Sequence, residues 1–211
     1  MEVKTFEFSP IGVHTYIAYD EMKECVIIDA GCIVAGEQEE LKRFISDNGL
    51  IVKHLLNTHL HFDHVLGVPF ASKEYGLQVK AHADDQFLLD GLQAQLKMFG
   101  FNIEVETPAI GTHLTENIII EFGNQRFEIL HIPGHSPGSI VFYNKEAGAA
   151  FVGDVLFFGS VGRTDLARGN HEQLIEGIRE KLLSLPSDTL IYPGHGMTTT
   201  VGQERMHNPF L

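Results

Sequence analysis

Thr58-His59-Leu60-His61-Phe62-Asp63-His64 packs three imidazoles and a carboxylate into seven residues, more metal-ligand chemistry than a folding core requires. The stretch follows Val52 to Leu56, a short apolar run that reads as a strand. The cluster therefore falls at a strand's C-terminal end, where open α/β architectures place ligands. Three further candidates follow at wide intervals: His135 in Pro133-Gly134-His135-Ser136-Pro137-Gly138, Asp154 in Gly153-Asp154, and His195 in Pro193-Gly194-His195-Gly196. Together these side chains can supply two adjacent metal ions around one shared carboxylate. Imidazole and carboxylate suit Zn²⁺ and tolerate Fe or Mn, and the lack of a thiolate argues against a purely structural zinc site. A metal-dependent hydrolase is the leading reading. His14, His54, His82, His113, His131, His171 and His207 read as surface or core histidines.

Outward from the cluster, alternation predicts strands over 2–8, 13–20 and 24–29, then a helix over 36–47 stopped by Asn48-Gly49. Residues 65–82 read as a short helix and a strand at 78–81. A helical stripe from Asp84 to Met98 carries Phe87, Leu88, Leu92 and Leu96, with Phe99 just beyond; it could overhang the site, although packing against the fold is the commoner role. Residues 118–130 suggest a β-hairpin in which Gln125 belongs to either turn or strand. Strands at 139–143, 149–153 and 189–192 and a helix over 172–185 complete the pattern. Two strand-rich portions, each followed by helices, predict sheets packed face to face with helices outside.

The chain has 211 residues, 44% of them apolar, enough for one domain with a substantial core. Its 28 acidic and 15 basic residues leave a formal charge of −13, which disfavours nucleic acid as a partner. Cys25 and Cys32 do not form a disulfide framework, and Cys25 reads as a buried thiol. No segment approaches the roughly 20 apolar residues of a membrane span, and the N-terminus has no apolar signal run. The expectation is a cytoplasmic protein acting on a small molecule, with no membrane or nucleic-acid partner and no indication of oligomeric state.

The motif at 58–64, with His135, Asp154 and His195, resembles the signature of the metallo-β-lactamase superfamily. Within it, Pro133 to Gly138, Gly162-Arg163-Thr164-Asp165 and Tyr192-Pro193-Gly194-His195-Gly196 resemble the glyoxalase II group of hydroxyacylglutathione hydrolases. The resemblance runs from about residue 10 to 209, including Asn208-Pro209. It implies an αββα sandwich with two facing mixed sheets and the site at one edge. It also implies His59, His61 and His135 on one metal, Asp63, His64 and His195 on a second, and Asp154 bridging, with Asp63 and Asp154 as the catalytic carboxylates. Asp29 matches an outer acid that orients a ligating imidazole, and Arg163 is the candidate contact to an anionic substrate group. The chain runs only sixteen residues past His195, so the expectation is one domain, 1–211, without the C-terminal helical domain that binds glutathione in longer members.

Two metals roughly 3.5–4 Å apart hold a bridging hydroxide and polarise an acyl oxygen; a thioester suits such a site because a thiolate leaves without a strong acid. The expected activity is hydrolysis of a small acyl thioester, hydroxyacylglutathione first, with zinc favoured over iron or manganese. The enzymatic rival is a persulfide dioxygenase holding one iron on His59, His135 and Asp154. A catalytically idle metal-binding protein is a third reading, opposed by the presence of both Asp63 and Asp154.

Overall fold

The computed structural model describes residues 1–8 and 11–211; Pro10, near where the family resemblance begins, lies outside them. The first sheet runs, in spatial order, β1 (Glu2–Phe8), β2 (Val13–Tyr19), β3 (Glu24–Ile28), β4 (Ile51–Leu56), β5 (Val79–Ala81) and β6 (Ile110–His113). β1 to β3 pair antiparallel, and β3 to β6 pair parallel. The second sheet holds β7 (Ile119–Phe122), β8 (Gln125–His131), β9 (Ile140–Asn144), β10 (Ala149–Gly153), β13 (Leu190–Pro193) and β14 (Thr199–Thr200). A short ribbon, β11 (Leu156–Phe157) with β12 (Ser160–Val161), stands apart.

The layering follows from which face of each strand is apolar. In β3, Val26 and Ile28 join the core between the sheets, while Cys25 and Ile27 face the helical layer. In β9, Ile140 and Phe142 point between the sheets, and Val141 and Tyr143 point outward. Strands apolar on both faces need cover on both. That cover comes from α1 (Ala35–Asp47), α2 (Phe62–Val65), α3 (Val68–Tyr75), α4 (Gln86–Asp90) and α5 (Leu92–Met98) on one side. On the other it comes from α6 (His171–Gly177), which continues as a π-helical turn over Ile178–Leu182, and from α7 (Val201–His207). The result is the expected αββα sandwich.

Several boundaries differ from the sequence reading for identifiable reasons. The stripe from Asp84 to Met98 is a 3₁₀ turn at Ala83–Asp85 followed by α4 and α5, broken at Gly91, a residue that weakens helix interiors. Gln125 belongs to the strand, paired with Phe122. β6, the β11–β12 ribbon, β14 and α7 were not anticipated: β6 exposes three of its four residues, and α7 buries only Val201 and Glu204, so neither shows a clear apolar period. No helix among the described residues is long and apolar enough to cross a membrane. Both cysteines are free and buried.

Candidate metal centre

All seven sequence candidates meet at one edge of the sandwich. β4 delivers the loop 57–61 and then α2, so His59, His61, Asp63 and His64 arrive from one continuous segment. Asn57 clamps that segment by donating from Nδ2 to the His59 carbonyl at 3.3 Å and to the His64 carbonyl at 2.8 Å. His135 comes from the turn between β8 and β9, Asp154 from the end of β10, and His195 from the end of β13.

Three donor groups result, each with its ligand atoms within 4.8 Å of one another: His59–His61–His135, Asp63–His64–His195, and His59–His64–Asp154. In the first, Nδ1 of His61 lies 2.9 Å from Nε2 of His135, which lies 3.3 Å from Nε2 of His59. The outer nitrogen of His135 donates to the Arg163 carbonyl at 2.8 Å, and that of His59 is 3.2 Å from the Thr58 hydroxyl. With those outer nitrogens protonated, the inner lone pairs converge on one point. In the second group, Nε2 of His195 is 3.1 Å from Asp63 Oδ2, while its Nδ1 faces the Gly12 carbonyl at 3.1 Å. Asp154 spans both groups, with Oδ2 3.6 Å from His135 and 3.8 Å from His195, and Oδ1 3.4 Å from His64.

The donor set fits a pair of divalent ions on this structure's own terms. His64 Nε2 and Asp154 Oδ1 are both buried and lack a hydrogen-bond partner, a costly state unless something else satisfies them. Gly194 leaves room for these atoms, because a Cβ there would lie 2.2 Å from Asp154 Oδ1. Gly153, at φ +51°, makes the turn that presents Asp154; a Cβ there would meet the Thr58 hydroxyl at 2.2 Å.

Protonation follows from the same crowding. Burial, then the neighbouring imidazoles, holds His59 far below the usual histidine range and takes His61 down to about 3. Burial also opposes charge on His64, but Asp63, Asp154 and Asp29 outweigh it and hold that imidazole well above its ordinary value. Burial raises Asp63 and Asp154, yet the surrounding histidines prevail and keep both carboxyls low. Around the site the carboxylates of Asp63 and Asp154 are therefore ionised and the imidazoles of His59 and His61 neutral, the states in which such side chains coordinate metals.

Asp29 lies between Thr58 and His64. Its Oδ1 accepts from the Thr58 amide at 2.8 Å, and its Oδ2 accepts from the Thr58 hydroxyl at 2.6 Å and faces His64 Nδ1 at 3.0 Å. Arg163 lines the cavity over the centre, and its Nε and Nη2 both donate to Asp165 at 2.7 Å.

Asp85, His14 and Tyr16, which also shape the site, were missed. Asp85 is fully buried, accepting from the Leu60 amide at 3.1 Å, the Ser136 hydroxyl at 2.8 Å and the Gly138 amide at 2.7 Å. It thereby ties the first histidine loop to the His135 loop. His14 and Tyr16 reach the Pro193 carbonyl at 3.1 and 2.5 Å, beside His195. Phe99 and Phe101, beyond α5, line the cavity with Phe62, so the end of the helical stripe does overhang the site while Leu88, Leu92 and Leu96 pack inside. The only available signal was the Asp84-Asp85 pair before an apolar stripe, which also describes an ordinary helix start. His82, Asp84 and His131 form a separate, more exposed group, but the two rings stack at 4.2 Å and 16°, so their in-plane lone pairs run side by side rather than toward one point.

Residues 9–195 match the model of the metallo-β-lactamase superfamily. The chain belongs to that superfamily. Hydroxyacylglutathione hydrolase GloC of Haemophilus influenzae is 43% identical, the alignment covering 100% of this chain and 98% of GloC. The human mitochondrial persulfide dioxygenase ETHE1 is 32% identical over 97% of this chain and 74% of its own length. Among solved structures of the superfamily, the B3 metallo-β-lactamase BLEG-1 superposes with a TM-score of 0.90 at 37% identity, covering 100% of this chain and 99% of its own. TTHA1623, solved in a di-iron-bound form, gives 0.87 at 36% identity, covering 99% and 100%. Within the superfamily, the chain sits with the glyoxalase II-like group.

Proposed function

We propose that this chain is a metal-dependent hydrolase of small acyl thioesters, with hydroxyacylglutathione as the first substrate. The observation that carries the reading is the pair of complete donor groups sharing Asp154. His59, His61 and His135 would hold one ion, Asp63, His64 and His195 the other, with zinc the first expectation and iron or manganese also suited to the ligands. Two divalent ions in such a setting supply Lewis acidity toward an acyl oxygen and make a nucleophile from water at neutral pH.

The protein's own part is positional and electrostatic. His59 and His61, buried and neutral, keep their lone pairs directed inward. Asp63 and Asp154, both lining the cavity, would supply the negative charge that offsets the ions. Phe62, Phe99 and Leu166 wall that cavity with apolar surface, so that a bound substrate would displace water and strengthen electrostatic interactions inside. The likeness to GloC supports a thiol ester of glutathione as substrate.

The likeness to ETHE1 supports persulfide oxidation as a second reading. That chemistry would leave Asp63, His64 and His195 idle, whereas the ligand atoms of these three also lie within 4.8 Å of one another, which favours the hydrolase. The test compares thiol release from S-lactoylglutathione with oxygen consumption on glutathione persulfide in one metal-analysed sample. Thiol release with two equivalents of metal is expected. Oxygen-dependent sulfite formation on one iron, without thioester turnover, overturns the hydrolase.

A further inference from the structure

The cavity above the centre has a volume of about 290 Å³, at the small end of ligand pockets, which span roughly 300–1,000 Å³. It holds only the part of a thioester next to the scissile bond. One wall is aromatic: Phe62 stacks on Phe99 with centroids 5.0 Å apart at 28°, and Phe101 leans on Phe62 at 5.4 Å. Ile11 and Leu166 complete the apolar lining. Phe99 and Ile11 are 39% and 43% exposed, so an occupant would cover apolar surface now open to water.

Above the candidate ligands His61, Asp63, His135 and Asp154 on its floor, the cavity offers little polar complement. Arg163 is the one cationic side chain among the described residues lining the cavity; more than half exposed and paired only with the likewise exposed Asp165, it stands at the rim, where an anionic carrier would meet it. Enclosing a peptide amide or carboxylate without partners is unfavourable, so the polar thiol carrier extends outward past the rim. The enclosed portion is then the acyl group, and a lactoyl methyl covers little of the open faces of Phe99 and Phe101, which lie over the buried Phe62 ring.

We propose that this cavity is an acyl subsite selective for bulky apolar, above all aromatic, 2-hydroxyacyl groups, with Phe99 a specificity-determining residue. The proposal rests on the thioester hydrolase reading. Its test has a catalytic arm and a binding arm. In the first, kcat/KM is compared for the lactoyl and 3-phenyllactoyl thioesters of glutathione, using metal-matched wild type and Phe99→Ala. In the second, calorimetry measures the affinity of the free acids, lactate and 3-phenyllactate, for the same two proteins.

The expected result is a preference of about tenfold or more for the phenyl-bearing compound in both arms, the scale set by burying a side chain of that size. Phe99→Ala should reduce it to less than about threefold. The ratio of dissociation constants is decisive. Equal affinity for the two acids, or a preference that Phe99→Ala leaves intact, overturns the subsite even if lactoylglutathione is hydrolysed. Tighter phenyllactate binding that depends on Phe99, with no thioester turned over, keeps the subsite and removes the hydrolase.

Discussion

Oδ2 of Asp29 sits 3.0 Å from Nδ1 of His64, turning the opposite ring nitrogen toward Asp63 and Asp154. Asp29 has a left-handed backbone, φ 54°, which asparagine also tolerates. Asp29→Asn therefore tests the carboxylate's charge with little backbone strain. Metal affinity should fall about 10–100-fold, measured by competition with a chromophoric chelator. Unchanged affinity would make Asp29 a purely structural partner of Thr58.

Asp154 and Arg163 should separate metal retention from substrate recognition. Asp154→Ala removes the one carboxylate that spans both donor groups and should abolish both the metal pair and hydrolysis. Arg163→Ala should retain its metal, because only the main-chain carbonyl of Arg163 contacts His135, and should raise KM for anionic thioesters. Elemental analysis of the two purified proteins checks this; equal metal loss would make Arg163 structural.

Asp85→Ala should unfold about 3 kcal/mol more easily, since it leaves the Leu60 and Gly138 amides and the Ser136 hydroxyl without their buried acceptor. Because these bonds join the His59–His61 loop to the His135 loop, metal affinity should fall as well. Urea denaturation of the metal-loaded protein and chelator competition read the two effects. Wild-type stability would show that water replaces the carboxylate.

Removing the metals should lower stability by an amount that depends on free metal concentration, about 4 kcal/mol at a thousand times the dissociation constant. Thermal melts with and without a strong chelator would show it, and readdition of zinc should restore the midpoint. Identical melts would count against a preformed centre.

Burial pushes the thiols of Cys25 and Cys32 up to about 12. The reactive thiolate is therefore nearly absent at neutral pH. Neither thiol should react readily with Ellman's reagent in the native protein, and both should react in denaturant. Fast native labelling of either would reveal an opening of the layer behind β3.

The seven candidate ligands were legible because the seven-residue motif concentrates four of them where few folding demands compete, and the others stand in glycine-bearing turns after strands. The sandwich was legible because β3, β9 and β10 are apolar on both faces. Asp85 was not, because its importance comes from partners at 60, 136 and 138, and its own neighbourhood resembles an ordinary helix start. Arg163 was identified as a candidate, but its bidentate tie to Asp165 and its place on the cavity rim depend on how the loop after Asp154 folds back over the centre.

By itself, the sequence determined the donor chemistry, the strand ends that carry it and the layered architecture, because those depend on side-chain type and short-range period. Only the tertiary structure decided which donors meet, that Asp154 lies between both groups, that Asp29 reaches His64, and that Phe99 closes over Phe62. These relationships join segments from separate strands, helices and loops, and local periodicity carries no information about distances set by the packing of two sheets.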